Sequence, residues 1–379
     1  MADISGVCDP KFSELRDILS ASLDSGADLG ASVAVVLDDE MIVDLWGGWS
    51  DEAETTPWTE DTITNVWSTT KTMTALSALL LVERGQIDVF APVAKYWPEF
   101  AQNGKESIEV RHLMAHTSGV AAWDQPVTDD DIYDWETSTA MLAAQAPWWE
   151  PGDGSGYHVL NYGHLIGEVI RRVDGRGLKQ FVKEELAEAF GADFQIGLRD
   201  EDLHRVSDVI PPPPLPIDFG ALDPASIPVR ALTGPLIDAG KANTPGWRAA
   251  DIGGANGHGN ARSVARLQQI VGNGGVIDGQ RILSSDTIDL IFQEQASGPD
   301  HVLFLPLRFG IGYGLPVPET IPYIPEGEIC FWGGYGGSMI VMDRARHLTV
   351  AYMMNKMEAG VVGGVRSAAL LDATFRALS

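Results

Sequence analysis

A chain of 379 residues, 45% hydrophobic with 41 glycines and 22 prolines, exceeds one average domain and can bury a large core. Its formal net charge of −27 sets it against nucleic acid and anionic membrane surfaces, both of which would repel it. Cys8 and Cys330 are too few for a disulfide framework, the start Met1-Ala2-Asp3-Ile4-Ser5 has neither a basic stretch nor an apolar signal core, and no apolar run is long enough to span a bilayer, so a soluble cytoplasmic protein is expected.

Phe12, Leu15, Ile18, Leu19 and Leu23 recur at helical spacing. Ala31 to Leu37 and Met41 to Trp46 then read as two strands of a hairpin across Asp38-Asp39-Glu40. Next comes Ser68-Thr69-Thr70-Lys71, which opens a helix apolar nearly all round through Met73, Leu76, Leu79, Leu80 and Val82 and closing at Gly85. Residues three apart share a helix face, so the Lys71 amine can lie beside the Ser68 oxygen, and a hydroxyl needs such a neighbouring base to become a nucleophile. Loss of solvent at the head of a buried helix would lower the amine's pKa toward that of a usable base. The same helix start leaves backbone N–H groups unpaired, so the N–H of Ser68 can serve an oxyanion hole.

Residues 70 to 240 lack strong strand signals and hold helical runs, notably Leu165 to Val173 and Leu178 to Phe190. Thr128-Asp129-Asp130-Asp131 reads as a solvated turn or helix cap. Pro211-Pro212-Pro213-Pro214-Leu215-Pro216 reads as an extended rigid connection, with recruitment of an aromatic-grooved partner as the alternative. A Gly-rich loop, Pro151-Gly152-Asp153-Gly154-Ser155-Gly156-Tyr157-His158, delivers a tyrosine that, near a lysine, could accept and return the serine proton. Tyr157 is the first choice and Tyr162 its competitor. His158 and Trp149 are candidate cleft-lining residues, and His258 lies in a loop that could border the cleft. A third cluster, Phe331-Trp332-Gly333-Gly334-Tyr335-Gly336-Gly337-Ser338, is dense in glycine, which marks either close approach by a ligand or a bulged strand. Such a strand edge can offer an N–H to a developing oxyanion. Ser338 to Met342 and Leu348 to Met354 form a second hairpin across Asp343-Arg344-Ala345-Arg346-His347, and a last helix runs from about Val365 to Leu378. The expected architecture is a discontinuous α/β domain with an antiparallel sheet, residues 1–70 and 241–379, interrupted by a mainly helical domain, 71–240, with the site in the cleft between them.

No Gly-x-Ser-x-Gly elbow is present, so an α/β-hydrolase triad has no anchor. His112 and His116 have metal-like spacing but no carboxylate base between them, and a structural role is expected. Gly310-Ile311-Gly312-Tyr313-Gly314 lacks the strand-to-helix context of a dinucleotide site. No metal and no cofactor is implied.

The three clusters in this order, with Leu113-Met114-Ala115-His116-Thr117-Ser118-Gly119 between the first two, resemble the serine β-lactamase and penicillin-binding-protein superfamily, in particular family VIII carboxylesterases. The resemblance implies a β-lactamase/transpeptidase-like fold, Ser68 as acylated nucleophile, Lys71 and Tyr157 as its base pair, and an oxyanion hole made by the N–H groups of Ser68 and Tyr335. It puts Trp332-Gly333-Gly334 in the place of the third motif. Which of Lys71 and Tyr157 accepts the proton stays open, because coupled groups share one titration. Two departures bear on substrate. Val159 stands where class C β-lactamases have the asparagine of Tyr-x-Asn, with Asn161 displaced by two, and the indole of Trp332 replaces a cationic lysine. An anionic β-lactam would lose an ion pair, so small neutral, short-chain esters are expected as substrates. Acyl transfer, amide hydrolysis or weak β-lactamase activity is the alternative within the same chemistry, and a non-catalytic binding protein on this scaffold the more distant one. The chain gives no oligomeric state.

Overall fold

The computed structural model describes residues 3–213, 221–235 and 238–379. Six strands make one antiparallel sheet, in the order Ile4–Cys8, Glu40–Gly48, Gly30–Leu37, Leu348–Met354, Met339–Asp343, Ile329–Gly333. Both expected hairpins are present, and the two ends of the chain meet where Val35 pairs with Val350. Gly30–Leu37 is covered on both faces, which is why Ala31-Ser32-Val33-Ala34-Val35-Val36 shows no polar alternation. Asp38 and Asp39 turn the first hairpin at φ 51° and 69°, a left-handed conformation that aspartate tolerates.

Helices cover the two faces of the sheet. Side chains alternate along a strand, so Thr349, against which Gly272 of the helix Ala261–Gly272 is packed, points away from Tyr352, whose hydroxyl reaches Asp28. On that second side the helices Ser13–Asp24 and Val365–Ala377 pack against each other. Arg366 of the last helix pairs with Asp28 at 2.5 Å, tying the carboxyl-terminal helix to the start of the strand Gly30–Leu37.

Between the hairpins lie mainly helices. Thr70–Glu83 and Tyr162–Asp174 pack together at the centre, and the expected run Leu178 to Phe190 is one helical segment with a wider turn over Val182–Ala187. A small antiparallel sheet, Thr64–Asn65 against Gly257–Gly259 against Gln195–Ile196, brings three distant parts of the chain beside the head of the central helix. Pro211, Pro212 and Pro213 are in no helix or strand, while Pro214, Leu215 and Pro216 lie outside the described residues. Thr128 caps a short helix, Asp129–Tyr133, its hydroxyl accepting from the Asp131 N–H. Both cysteines are free thiols. Among the described residues no helix is long and apolar enough to cross a membrane.

Candidate active site

Ser68 occupies a tight turn, Trp67–Thr69, from which the helix Thr70–Glu83 departs. Trp67 carries φ 51°, a left-handed conformation costly for a bulky residue and kept only where its surroundings enforce it. The enforcing contacts are the rings of Trp247 and Tyr335, each centred 5.5 Å from that of Trp67. The turn's carbonyls are also held, that of Trp67 by the Thr70 hydroxyl and that of Val66 by Ser338. Every residue of the helix from Thr70 to Leu81 is buried, Lys71 included at 2% exposure. The Lys71 Nζ lies 3.1 Å from Ser68 Oγ and donates to the carbonyls of Val159 and Gly254, each at 2.7 Å. No carboxylate forms an ion pair with it among the described residues, and burial pushes its pKa well below the usual lysine range.

Tyr157 arrives from the glycine loop. Its hydroxyl accepts from Trp332 Nε1 at 3.2 Å, and Lys71 Nζ sits 4.7 Å from its ring centre. Burial raises the phenol's pKa, opposed by the nearby Ser68 and Trp332 side chains. Tyr162, the competitor, points elsewhere: its hydroxyl reaches the Met114 carbonyl at 3.4 Å, and Lys71 Nζ is 5.8 Å from its ring centre. Gly156 lets the loop run flush against Trp149, whose ring a Cβ at that position would meet at 2.3 Å.

The strand Ile329–Gly333 supplies the third cluster. Trp332 is buried, and Gly334 abuts the nucleophile turn so closely that a Cβ there would lie 2.6 Å from the Val66 carbonyl oxygen. Ser338 completes the joint, its hydroxyl donating to Val66 O at 2.9 Å and lying 3.0 Å from Thr69 Oγ1. Tyr335, half-buried, follows directly.

Other expected site residues sit differently. His158 does not line the cleft: it is fully buried, with Nε2 2.6 Å from Ser118 Oγ, Nδ1 2.7 Å from the Gly156 carbonyl, and its backbone N–H donating to His116 Nδ1 at 3.0 Å. It joins the His-Thr-Ser-Gly turn to the tyrosine loop, and burial lowers its pKa to about 4, which keeps the ring neutral. Trp149 packs on His301, ring centres 5.1 Å apart, and so supports the loop from behind. His258 is buried in the small sheet, and the Nδ1 of His112 accepts the Glu109 N–H. Asn161, the displaced asparagine, donates to the Val120 carbonyl at 2.8 Å.

Sequence reasoning missed the groups that hold the site together. The Val159 and Gly254 carbonyls are backbone and carry no residue signature. His116, whose ring centre is 5.0 Å from that of Tyr157, was visible only as part of a turn and as the partner of His112 in a metal-like spacing. Asp300 accepts the Tyr157 N–H at 3.1 Å from 143 positions away. The pair Pro299-Asp300 signals a turn, not its partner.

An antiparallel sheet closed by both chain ends, a buried central helix headed by a serine and lysine, and a strand laid against that serine's turn define the β-lactamase/transpeptidase-like class of fold. The sequence model of the β-lactamase family matches residues 15–375, and this chain belongs to that family. A solved family VIII carboxylesterase superposes with a TM-score of 0.93 at 37% identity, over 99% of this chain and 100% of that one. A penicillin-binding protein homolog from Caulobacter crescentus gives 0.91 at 34%, over 99% and 100%. The esterase/β-lactamase LipL of Mycobacterium tuberculosis is 32% identical over 95% of this chain and 84% of its own length.

Proposed function

We propose that this protein hydrolyses small neutral carboxylic esters, those with short acyl chains, by forming an acyl-enzyme on Ser68 with Lys71 and Tyr157 as its proton-handling pair. Ester hydrolysis as the class is carried by the similarity to the family VIII carboxylesterase and to LipL. The mechanism is carried by one observation, a desolvated amine 3.1 Å from Ser68 Oγ and 4.7 Å from the ring centre of Tyr157. Burial favours the neutral form of each partner. A neutral amine has two N–H donors and one lone pair. The Val159 and Gly254 carbonyls take the donors, which leaves the lone pair for the Ser68 proton. As Ser68 attacks, the carbonyl oxygen gains charge beside the N–H groups of Ser68 and Tyr335. Tyr157 is then placed to give a proton to the departing alkoxide, and the reverse relay lets water release the acid.

Two features support neutral substrates. Trp332 presents an N–H but no cation where a carboxylate would need one, and the chain's net charge of −27 opposes an anion's approach. The test is intact-mass detection of an acyl adduct across a series of 4-nitrophenyl esters of increasing chain length, plus one cephalosporin. A short-chain adduct that accumulates on the wild type and is absent from Ser68→Ala is expected. Equal acylation of Ser68→Ala, or faster acylation by the cephalosporin than by any ester, would overturn the reading.

A further inference from the structure

We infer that Asp300 is a positioning residue for Tyr157: its carboxylate pins the loop that carries the phenol, and its negative charge biases the proton shared with Lys71. The assignment rests on the Ser68, Lys71 and Tyr157 reading above. Asp300 is 1% exposed and, among the described residues, forms no ion pair. Oδ1 accepts the N–H groups of Tyr157 at 3.1 Å, Val302 at 2.9 Å and Leu303 at 2.9 Å, while Oδ2 accepts the Ser155 hydroxyl at 2.8 Å. The three amides on Oδ1 can only donate, so Oδ1 serves as an acceptor. The backbone adds a second tie, His301 N–H to the Ser155 carbonyl at 2.7 Å. A single buried side chain thus fixes both flanks of Gly156, the one residue between Ser155 and Tyr157, and a loop with so much glycine would not hold its tyrosine by itself.

An unpaired negative charge next to the site also opposes phenolate and favours a protonated amine. The remaining groups that face Tyr157 are Lys71 on the central helix, His116 from its turn, Tyr162 on the next helix and Trp332 on the strand. His158 adjoins it in the loop. Burial depresses His116 and His158 and raises Tyr162, so all three stay neutral at working pH.

Asp300→Asn keeps an oxygen for the three amides and offers an N–H to Ser155 Oγ, which can turn to accept. Asp300→Ala removes both. The kcat/KM of each for 4-nitrophenyl acetate is measured across pH, beside Tyr157→Phe and with the melting midpoint of every variant. For Asp300→Asn the acid limb moves to lower pH by about half to one unit, because losing the negative charge makes the amine easier to deprotonate. For Asp300→Ala kcat falls about 10- to 100-fold with little change in KM, as the phenol loses its fixed place. An acid limb that stays put in Asp300→Asn, or an Asp300→Ala loss matched entirely by unfolded protein, overturns the inference while leaving the Ser68 mechanism standing. Wild-type acylation by Tyr157→Phe overturns both.

Discussion

Lys71 is a lysine whose surroundings remove the reason to be charged: full burial, two carbonyl acceptors and no carboxylate in an ion pair with it among the described residues. In the proposed mechanism its value to the site lies in a basic lone pair rather than a positive charge. Lys71→Met is therefore expected to lower the rate of acylation about 10²- to 10⁴-fold, the usual worth of a general base. Lys71→Arg should fall as far, since a guanidinium stays protonated and has no lone pair to offer. Retained activity in the arginine variant would mean that charge, not basicity, is what Ser68 needs. In the wild type, kcat/KM should decline as pH falls through the pair's apparent pKa, because protonation fills the lone pair, and a stopped-flow pH series reads this directly. Ser68 and Lys71 were legible as a pair because their relation is local, three positions on one helix. Tyr157 was legible only as a choice between two tyrosines, and what separates them is that the hydroxyl of Tyr162 is taken up by the Met114 carbonyl while Tyr157 lies nearer Lys71.

Among the elements, the joint between the third-cluster strand and the nucleophile turn leaves no room for a side chain. Gly334 meets the Val66 carbonyl and the Trp67 side chain where a Cβ would have to sit, and backbone cannot step aside as a flexible side chain can. Gly334→Ala should push the strand end from the turn, moving the Tyr335 N–H off the oxyanion. A displacement near 1 Å can cost on the order of 100-fold, so kcat is expected to drop by about 10- to 100-fold while far-ultraviolet circular dichroism is unchanged. Wild-type turnover in that variant would show that the strand end plays no part in holding the oxyanion. The hairpins were readable from runs of Val, Ala and Met broken by Asp-rich turns, and the helix Thr70–Glu83 from its apolar run and closing glycine. The wider turn at Val182–Ala187 was not, because its residues suit an ordinary helix and only the packed segment shows the change of pitch.

For the whole molecule, closure of the sheet by both chain ends depends on a buried cluster. Asp28 accepts from Tyr352 at 2.6 Å and from Ser22 at 2.5 Å and pairs with Arg366, itself 8% exposed. Asp28→Ala leaves the buried guanidinium with only Glu358, at 3.5 Å, as ion partner and should cost less than the roughly 3–5 kcal/mol of a fully stranded charge, seen as a lowered denaturation midpoint. Adding Arg366→Met should recover part of the loss, and a double variant worse than the single one would contradict the charge-stranding explanation. The amino-acid sequence by itself determined the local devices: the strand pairs, the buried helix, the serine with its lysine, and the missing cation at Trp332. Those follow from spacing, apolar pattern and residue chemistry, which act over a few positions. Only the tertiary structure decided which tyrosine meets Ser68, that His158 turns inward, and that Asp300 and the Gly254 carbonyl belong to the site. Such contacts join segments up to nearly 200 residues apart, and they form because burial demands a partner for each polar group, a demand that no stretch of chain can answer alone.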